Sequence, residues 1–149
     1  MEFEGEVSIG ADGQRVWEMT SDPEVLMSCV PGAKEIEQLS ETKYRGTIER
    51  GVAGVTIALE GEAEIVELDP PSRIVAEAGG QDARTNSRMD ATAEMEIASD
   101  DGASALSYHI DLDFTGRLAS LGSRIVKRQI NSDINTFFDN LKELAEDGQ

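Results

Sequence analysis

Near Gly116 the hydrophobic period of this sequence changes, and the change limits the possible folds. Before Gly116, apolar and polar residues alternate over six successive segments, which is the period of half-buried antiparallel strands. After Gly116, apolar residues recur every three or four positions, as they do on one face of a helix. A meander of strands followed by a long helix has to bury the apolar face of its sheet against that helix.

The segments before and after this change define the predicted elements. The six strands are expected at about 34–40, 43–51, 54–68, 72–79, 86–98 and 103–115. The helical stripe consists of Leu118, Leu121, Ile125, Ile130, Ile134, Phe137, Phe138, Leu141 and Leu144. The apolar positions change phase at Ile65-Val66, which predicts a bulge there. Gly79-Gly80 is predicted to be a turn.

The first thirty residues add a strand and two short helices. Phe3, Val7 and Ile9 alternate with acidic residues and predict a seventh strand. Asp12 and Asp22 can each cap a short helix, the second with Pro at its first position. We therefore expect one α+β domain over 1–149, with a curved seven-stranded antiparallel sheet that grips a long C-terminal helix (a helix-grip fold).

Small residues occupy many inward positions of this sheet, where a solid core would carry larger side chains. They are Gly46, Gly61, Ala63, Ala76, Ala78, Ala91 and Ala93. Empty space destabilises a fold by roughly 24 cal/mol per Å³, so a sizeable void is usually a binding cavity. Alternatively, Phe137 and Phe138 from the helix fill the gap.

The cavity would hold an apolar small molecule, quinone-like or lipid-like. Its predicted lining is Phe3, Val7, Val55, Ile57, Leu59, Gly61, Ala63, Met89, Ala91, Ala93, Met95, Tyr108, Ile110, Leu112, Phe114 and Phe137. Tyr108 either donates a hydrogen bond to a ligand carbonyl or bonds only to backbone. Val30, Pro31 and Gly32 form either the cavity mouth or a plain turn.

The charge of the chain limits its partners. Thirty acidic residues oppose thirteen basic ones, for a net charge of −17, which argues against general affinity for nucleic acid or anionic membrane. Acids spread along the whole chain suggest a surface adapted to a salt-rich cytoplasm, because molar salt shortens the screening length to about 3 Å. An ordinary acidic protein is the alternative.

Residues 114–132 depart from this pattern because they contain no acid. The basic residues there are Arg117, Arg124, Lys127 and Arg128. Three of them are spaced by seven and four residues, so Arg117, Arg124 and Arg128 are predicted to share one face at the start of the terminal helix. They either pair with neighbouring acids or form a docking patch for an acidic protein or phospholipid head groups.

We expect no catalytic or metal site. The lone His109 falls on the outer sheet face, far from the lone Cys29, so a nucleophile–base dyad is not expected. A single cysteine excludes an intrachain disulfide. The N-terminus resembles no leader peptide and no apolar run is long enough to span a bilayer, so a cytoplasmic protein is expected, at most peripheral at the inner face of the membrane.

Four short motifs carry a family resemblance. Val16-Trp17, 22–26 (DPEVL), 30–32 (VPG) and 116–123 (GRLASLGS) occur with the order and spacing of the carbon monoxide dehydrogenase G-subunit (CoxG) family. The chain resembles that branch of the START-like (SRPBCC) superfamily, a Bet v 1-like fold, over nearly its whole length.

The resemblance implies a deep apolar cavity, no catalytic residues and a role beside molybdenum-containing carbon monoxide dehydrogenases or related hydroxylases. That role would be to recruit the enzyme to the membrane or link it to quinone. Pro31 and Gly32 would form the mouth, and Gly116, Leu118 and Gly122 would shape the start of the terminal helix. Many relatives continue into an extension proposed to reach the membrane, whereas this sequence stops at Gln149, so we expect a carrier or a docking protein. A polyketide cyclase-type enzyme and a ligand-free assembly factor are the rivals.

Overall fold

A computed structural model describes residues 1–147, and in this range seven strands form one antiparallel sheet. The strands are β1 (Glu2–Ile9), β2 (Ala33–Gln38), β3 (Lys43–Val52), β4 (Val55–Asp69), β5 (Arg73–Asp82), β6 (Ser87–Asp100) and β7 (Ala103–Thr115), and the helices are α1 (Gly13–Thr20), α2 (Pro23–Cys29), α3 (Arg117–Ser120) and α4 (Ser123–Asp147). Their order in the sheet is β1-β7-β6-β5-β4-β3-β2. The predicted fold class is confirmed, while the predicted domain end at 149 lies outside the described residues.

Both short helices begin where capping chemistry predicts. The Asp12 carboxylate accepts a hydrogen bond from the backbone N–H of Arg15 at 3.0 Å, and Asp22 accepts one from Glu24 at 3.0 Å. Pro23 occupies the first turn of α2, where its missing N–H costs nothing. These two helices lie between β1 and β2 in the chain and reach α4 on the inner side of the sheet.

The strands show one confirmed irregularity and one wrong prediction. The register of β4 with β5 shifts between Ile65 and Glu67, which confirms the bulge. Gly79-Gly80 is not a turn, because β5 continues to Asp82. Instead, the glycines allow a close approach of strands: Gly80 lies opposite Gly61, and a side chain on Gly61 would overlap the backbone of Gly79.

The terminal helix is interrupted, contrary to the prediction of one continuous stripe. Gly122 adopts φ 97° between α3 and α4, a conformation that favours glycine. The break uncouples the apolar faces of the two helices. Ile125 and Leu144, which the predicted stripe included, are exposed, and the buried face of α4 is formed by Val126, Ile134, Phe138, Leu141 and Ala145.

Two apolar clusters stabilise the fold at different places. The larger one packs α1, α2 and the C-terminal half of α4 on β1, β6 and β7, with Leu106 and Leu141 fully buried. The smaller one packs Leu118 and Val126 on Ile57 and Leu59. Small inward residues lie on the part of the sheet between these clusters.

Candidate functional site

A cavity of about 300 Å³ lies between the inner sheet face and helices α2 and α4. Glycine and alanine make up much of its sheet side, and the helices contribute larger apolar side chains. The lining is Leu26, Met27, Val30, Tyr44, Gly46, Ile48, Leu59, Gly61, Glu62, Ala63, Ala76, Ala78, Gly79, Gly80, Met89, Ala91, Ala93, Met95, Ile110, Ile134, Phe137 and Phe138. We call this space the deep chamber. Its surface is almost entirely apolar.

A second space of about 150 Å³ adjoins the deep chamber, and we call it the outer chamber. The chambers share Val30, Ile48, Leu59, Met89 and Ile134, so one wall serves both. The rest of the outer chamber is lined by Pro31, Arg50, Val52, Ile57, Leu112, Leu118, Val126, Gln129, Ile130 and Asp133. Together the chambers run from the alanine-rich sheet to the start of α4.

Most of the predicted lining residues meet at these chambers. Nine of them line the deep chamber: Leu59, Gly61, Ala63, Met89, Ala91, Ala93, Met95, Ile110 and Phe137. Two more, Ile57 and Leu112, line the outer chamber. Five predicted residues line neither chamber and pack in the core: Phe3, Val7 and Tyr108 in the larger cluster, and Val55 and Phe114 in the smaller. Alternation assigned their face of the sheet, but large side chains fill those two ends of the face.

The predicted mouth divides in the same way. Val30 lines both chambers and Pro31 lines the outer one. Gly32 lines neither, because it lies against β3: its carbonyl accepts a hydrogen bond from the Glu49 N–H at 3.0 Å. With φ 78° and the Glu49 carbonyl where a Cβ would be, this position requires glycine.

Tyr44 is the phenol at the cavity, a role that the sequence analysis gave to Tyr108. It is buried, and this burial, together with the negative charges of Glu24 and Asp22, raises the pKa of its hydroxyl. The hydroxyl therefore stays protonated, and able to donate, at all physiological pH values. Tyr44 lies two residues before Gly46 and four before Ile48, so period-two alternation places all three on the inward face of β3. That pattern could have identified Tyr44 as a lining residue.

Three polar side chains that the sequence analysis missed form one cluster on the outer chamber. The Arg50 guanidinium of β3 donates from Nε and Nη2 to the two carboxylate oxygens of Asp133 in α4, at 3.1 and 2.7 Å. Gln129, one turn earlier, donates from Nε2 to the same carboxylate at 3.0 Å. We call these three residues the mouth cluster. Arg50 continues the inward series of Tyr44, and this was the available signal.

The four predicted docking residues are exposed, but they do not share one helix. Arg117 belongs to α3, whereas Arg124, Lys127 and Arg128 belong to α4, so the predicted common helical face is wrong because the chain breaks at Gly122. Among residues 1–147, none of the four forms an ion pair. We call them the basic patch, and the exposed Ile125 lies among them.

Other reactive groups lie away from the cavity. His109 is on the outer sheet face, with Nε2 3.5 Å from Glu2 Oε1. Cys29 is buried in the larger cluster, and burial raises the pKa of its thiol. In the described part of the chain, no three His, Cys, Asp or Glu side chains are grouped as metal ligands, and no helix has the length and apolar character needed to cross a membrane.

Comparison with known proteins gives a family and a fold. The family model for the G-subunit of carbon monoxide dehydrogenase (CoxG) matches residues 5–146. None of the curated proteins searched matches the chain.

Several solved structures are similar over nearly the whole chain. A conserved protein from Geobacillus kaustophilus is 21% identical with a TM-score of 0.88, covering 99% of this chain and 96% of that one. An aromatase/cyclase from a Streptomyces species is 14% identical with a TM-score of 0.69, covering 98% and 93%. The protein Ara h 8.0201 is 14% identical with a TM-score of 0.67, covering 99% and 98%. At these identities the likeness establishes the fold, which is Bet v 1-like.

Proposed function

This chain belongs to the carbon monoxide dehydrogenase G-subunit (CoxG) family, and from that premise we propose that it is a non-enzymatic accessory protein that holds an apolar, quinone-like or lipid-like molecule. In this proposal the ligand lies between the sheet and α4, and the protein docks on a carbon monoxide dehydrogenase or related molybdenum hydroxylase. It would act in a salt-rich cytoplasm, with at most peripheral contact at the inner face of the membrane.

The observation that carries the ligand-binding proposal is the deep chamber itself. About 300 Å³ of apolar space remains although Phe137 and Phe138 point toward the sheet. The Phe138 ring is held against Tyr108, and Phe137 meets Phe138 edge-on at 4.9 Å, so these rings form a wall and do not fill the gap. Dry apolar cavities of even half this size bind apolar molecules.

The decisive experiment is native mass spectrometry of the protein purified from its natural host, followed by solvent extraction and identification of what is released. A stoichiometric quinone or lipid supports the proposal. An empty chain, with no thermal stabilisation by added quinones or lipids, contradicts it and favours a ligand-free assembly factor.

Docking is proposed to use the basic patch. Its four cations have no acidic partner within the described chain, so they are available to an acidic surface of the partner enzyme. Arg124→Glu with Arg128→Glu should abolish pull-down of the partner enzyme. Lys34→Glu with Arg45→Glu, two cations that already pair with Glu49 and Glu37, is the matched control. If the double variant still pulls down the partner enzyme but no longer sediments with liposomes, the patch binds phospholipid head groups instead.

A polyketide cyclase-type enzyme is the second candidate, and the polar groups on the cavity wall favour it. Tyr44 can donate a hydrogen bond to a substrate carbonyl, and the mouth cluster can orient a carbonyl chain. A structure of similar fold is named an aromatase/cyclase. Incubation with a linear poly-β-ketone separates the two functions: accelerated cyclisation that is lost in Tyr44→Phe supports the enzyme, and an unchanged substrate supports the accessory protein.

A further inference from the structure

The mouth cluster is an ion pair built into the wall of an otherwise apolar cavity. The Arg50 side chain is 36% exposed and that of Asp133 is 23% exposed, so both charges have lost much of their hydration. They join β3 at one side of the outer chamber to α4 at the other.

Packing alone gives no reason for charges at this place. Partly buried ion pairs lose hydration free energy that their attraction only partly restores, and apolar residues of similar size often stabilise a fold as well or better. The neighbours Val52, Ile57 and Ile130 show that apolar residues line the same chamber. A polar contact offered to something inside the cavity accounts for the placement.

The hydrogen-bonding capacity of the cluster defines what that contact can be. A guanidinium has five N–H donors, and Arg50 uses two of them on Asp133. The Asp133 carboxylate accepts hydrogen bonds from both Arg50 and Gln129. Because Gln129 is uncharged, the positive charge of Arg50 and the negative charge of Asp133 cancel. Free donors therefore remain, but no free positive charge does.

We propose that the mouth cluster binds the polar head of the cavity ligand and selects an uncharged acceptor, such as a ring or ester carbonyl, over a carboxylate. The inference rests on the proposed ligand-binding function and specifies its substrate class. A carbonyl needs only a donor, which Arg50 supplies. A carboxylate would bring an uncompensated charge beside Asp133 into a poorly hydrated site. The head then lies in the outer chamber and the apolar tail in the deep chamber.

The test measures the binding of two probes with the same tail, decylubiquinone and decanoic acid at neutral pH, to the full chain by equilibrium dialysis. Wild type should bind decylubiquinone at least about tenfold tighter than decanoate, because placing an uncompensated carboxylate beside Asp133 costs at least that much. Arg50→Met should weaken the quinone about tenfold. Asp133→Asn keeps the shape but frees the charge of Arg50, so it should strengthen decanoate about tenfold and change the quinone little.

Lys34→Met is the matched control, since Lys34 pairs with Glu49 outside both chambers. It should bind both probes as wild type does, and thermal melts of all variants report folding. If wild type and both cluster variants bind the two probes equally well, the cavity binds apolar molecules but the selection proposed here is overturned. If wild type binds neither probe, the ligand-binding function falls and this inference with it.

Discussion

Tyr108 in β7 stacks on Phe138 in α4, with ring centroids 4.3 Å apart and ring planes 17° from parallel. The same tyrosine covers Gly5 of the neighbouring strand β1, where a Cβ would lie 2.7 Å from its hydroxyl oxygen. This stack packs α4 against the side of the sheet formed by β1 and β7. Among residues 1–147, no ring stack links the helix to the side containing Ala76, Ala78 and Ala91, and the deep chamber lies there.

Removing the Tyr108 ring should therefore destabilise the fold. We expect Tyr108→Ala to lower the free energy of unfolding by about 3 kcal/mol, because a large ring is deleted from a packed site. Tyr108→Phe should change it by less than about 0.5 kcal/mol, since the hydroxyl makes no hydrogen bond in residues 1–147. Urea titration measures both. A loss in Tyr108→Phe as large as in Tyr108→Ala would show that the hydroxyl, and not the stack, matters.

Filling the deep chamber should stabilise the empty protein and block binding. Ala91→Leu adds a side chain at a half-buried position lining the chamber, and we expect it to raise the unfolding free energy by about 1 kcal/mol as void is removed. It should also abolish decylubiquinone binding. Ala98→Leu, on the exposed end of the same strand, should change neither quantity. Binding that survives in Ala91→Leu would place the ligand elsewhere.

The paired glycines of β4 and β5 should resist even a methyl group. A Cβ on Gly61 would overlap the backbone of Gly79 and Gly80, so Gly61→Ala forces the strands apart. We expect a loss of about 3 kcal/mol in urea unfolding. Gly46→Ala is the matched control, because its nearest neighbour would be 3.4 Å away in ordinary contact. Equal losses in both variants would indicate a general cost of removing glycine.

Alternation and capping in the sequence were enough to predict the seven strands and the two short helices, because each of these elements depends on nearby residues. The start of α1 after Asp12 and the bulge at Ile65 belong to this local class. The break at Gly122 was missed because Leu121 and Ile125 keep a helical spacing of four residues across it. Only tertiary packing decides that α3 and α4 have separate buried faces.

The candidate site was predictable in part for the same reason. Period-two alternation tells which face of the sheet a residue occupies, but not whether a neighbouring element covers it. Phe3 and Ala93 therefore received the same assignment, although one packs in the core and the other lines the deep chamber. Asp133 depends on α4 lying beside β3, an arrangement across 83 residues that spacing cannot reveal.

Acid should remove a stabilising contribution from Asp82, a buried residue at the end of β5. Its carboxylate accepts hydrogen bonds from the backbone N–H of Ala58 at 2.9 Å and of Arg84 at 3.0 Å. The Ala58 contact most of all, with Thr85 and Arg84, lowers the pKa of Asp82 against the opposing effect of burial. A lowered carboxyl pKa means that the unfolded chain binds the proton more tightly, so stability falls as pH decreases.

Asp82→Asn should consequently cost about 2 kcal/mol at neutral pH, where the carboxylate is charged and fully bonded. The difference from wild type should shrink as pH falls below the unfolded value of about 3.9. Urea titrations across acidic pH measure it. Asp111→Asn, on the exposed outer face, controls for the general effect of charge. A difference that is constant with pH would contradict the role of the Asp82 charge.

Salt should stabilise this protein strongly if its surface is adapted to a salt-rich cytoplasm. The net charge is −17, and acids such as Glu77, Asp111 and Asp113 lie together on the outer sheet face without a basic partner in residues 1–147. The repulsion between these carboxylates weakens the compact state in dilute buffer. Molar KCl shortens the screening length to about 3 Å and so suppresses this repulsion. We expect the Tm to rise by about 10 °C between low and molar KCl.

A triple variant tests whether this outer face is responsible for the salt effect. Glu77→Gln with Asp111→Asn and Asp113→Asn removes three like charges from β5 and β7, the strands on either side of β6, without changing the shape of the face. Its Tm at low salt should exceed that of wild type, and its rise with KCl should be smaller, because less repulsion is left to screen. Differential scanning calorimetry of both proteins over a KCl series decides the question. A wild-type Tm that stays flat from dilute buffer to molar KCl would contradict salt adaptation, and the charge would then be that of an ordinary acidic protein.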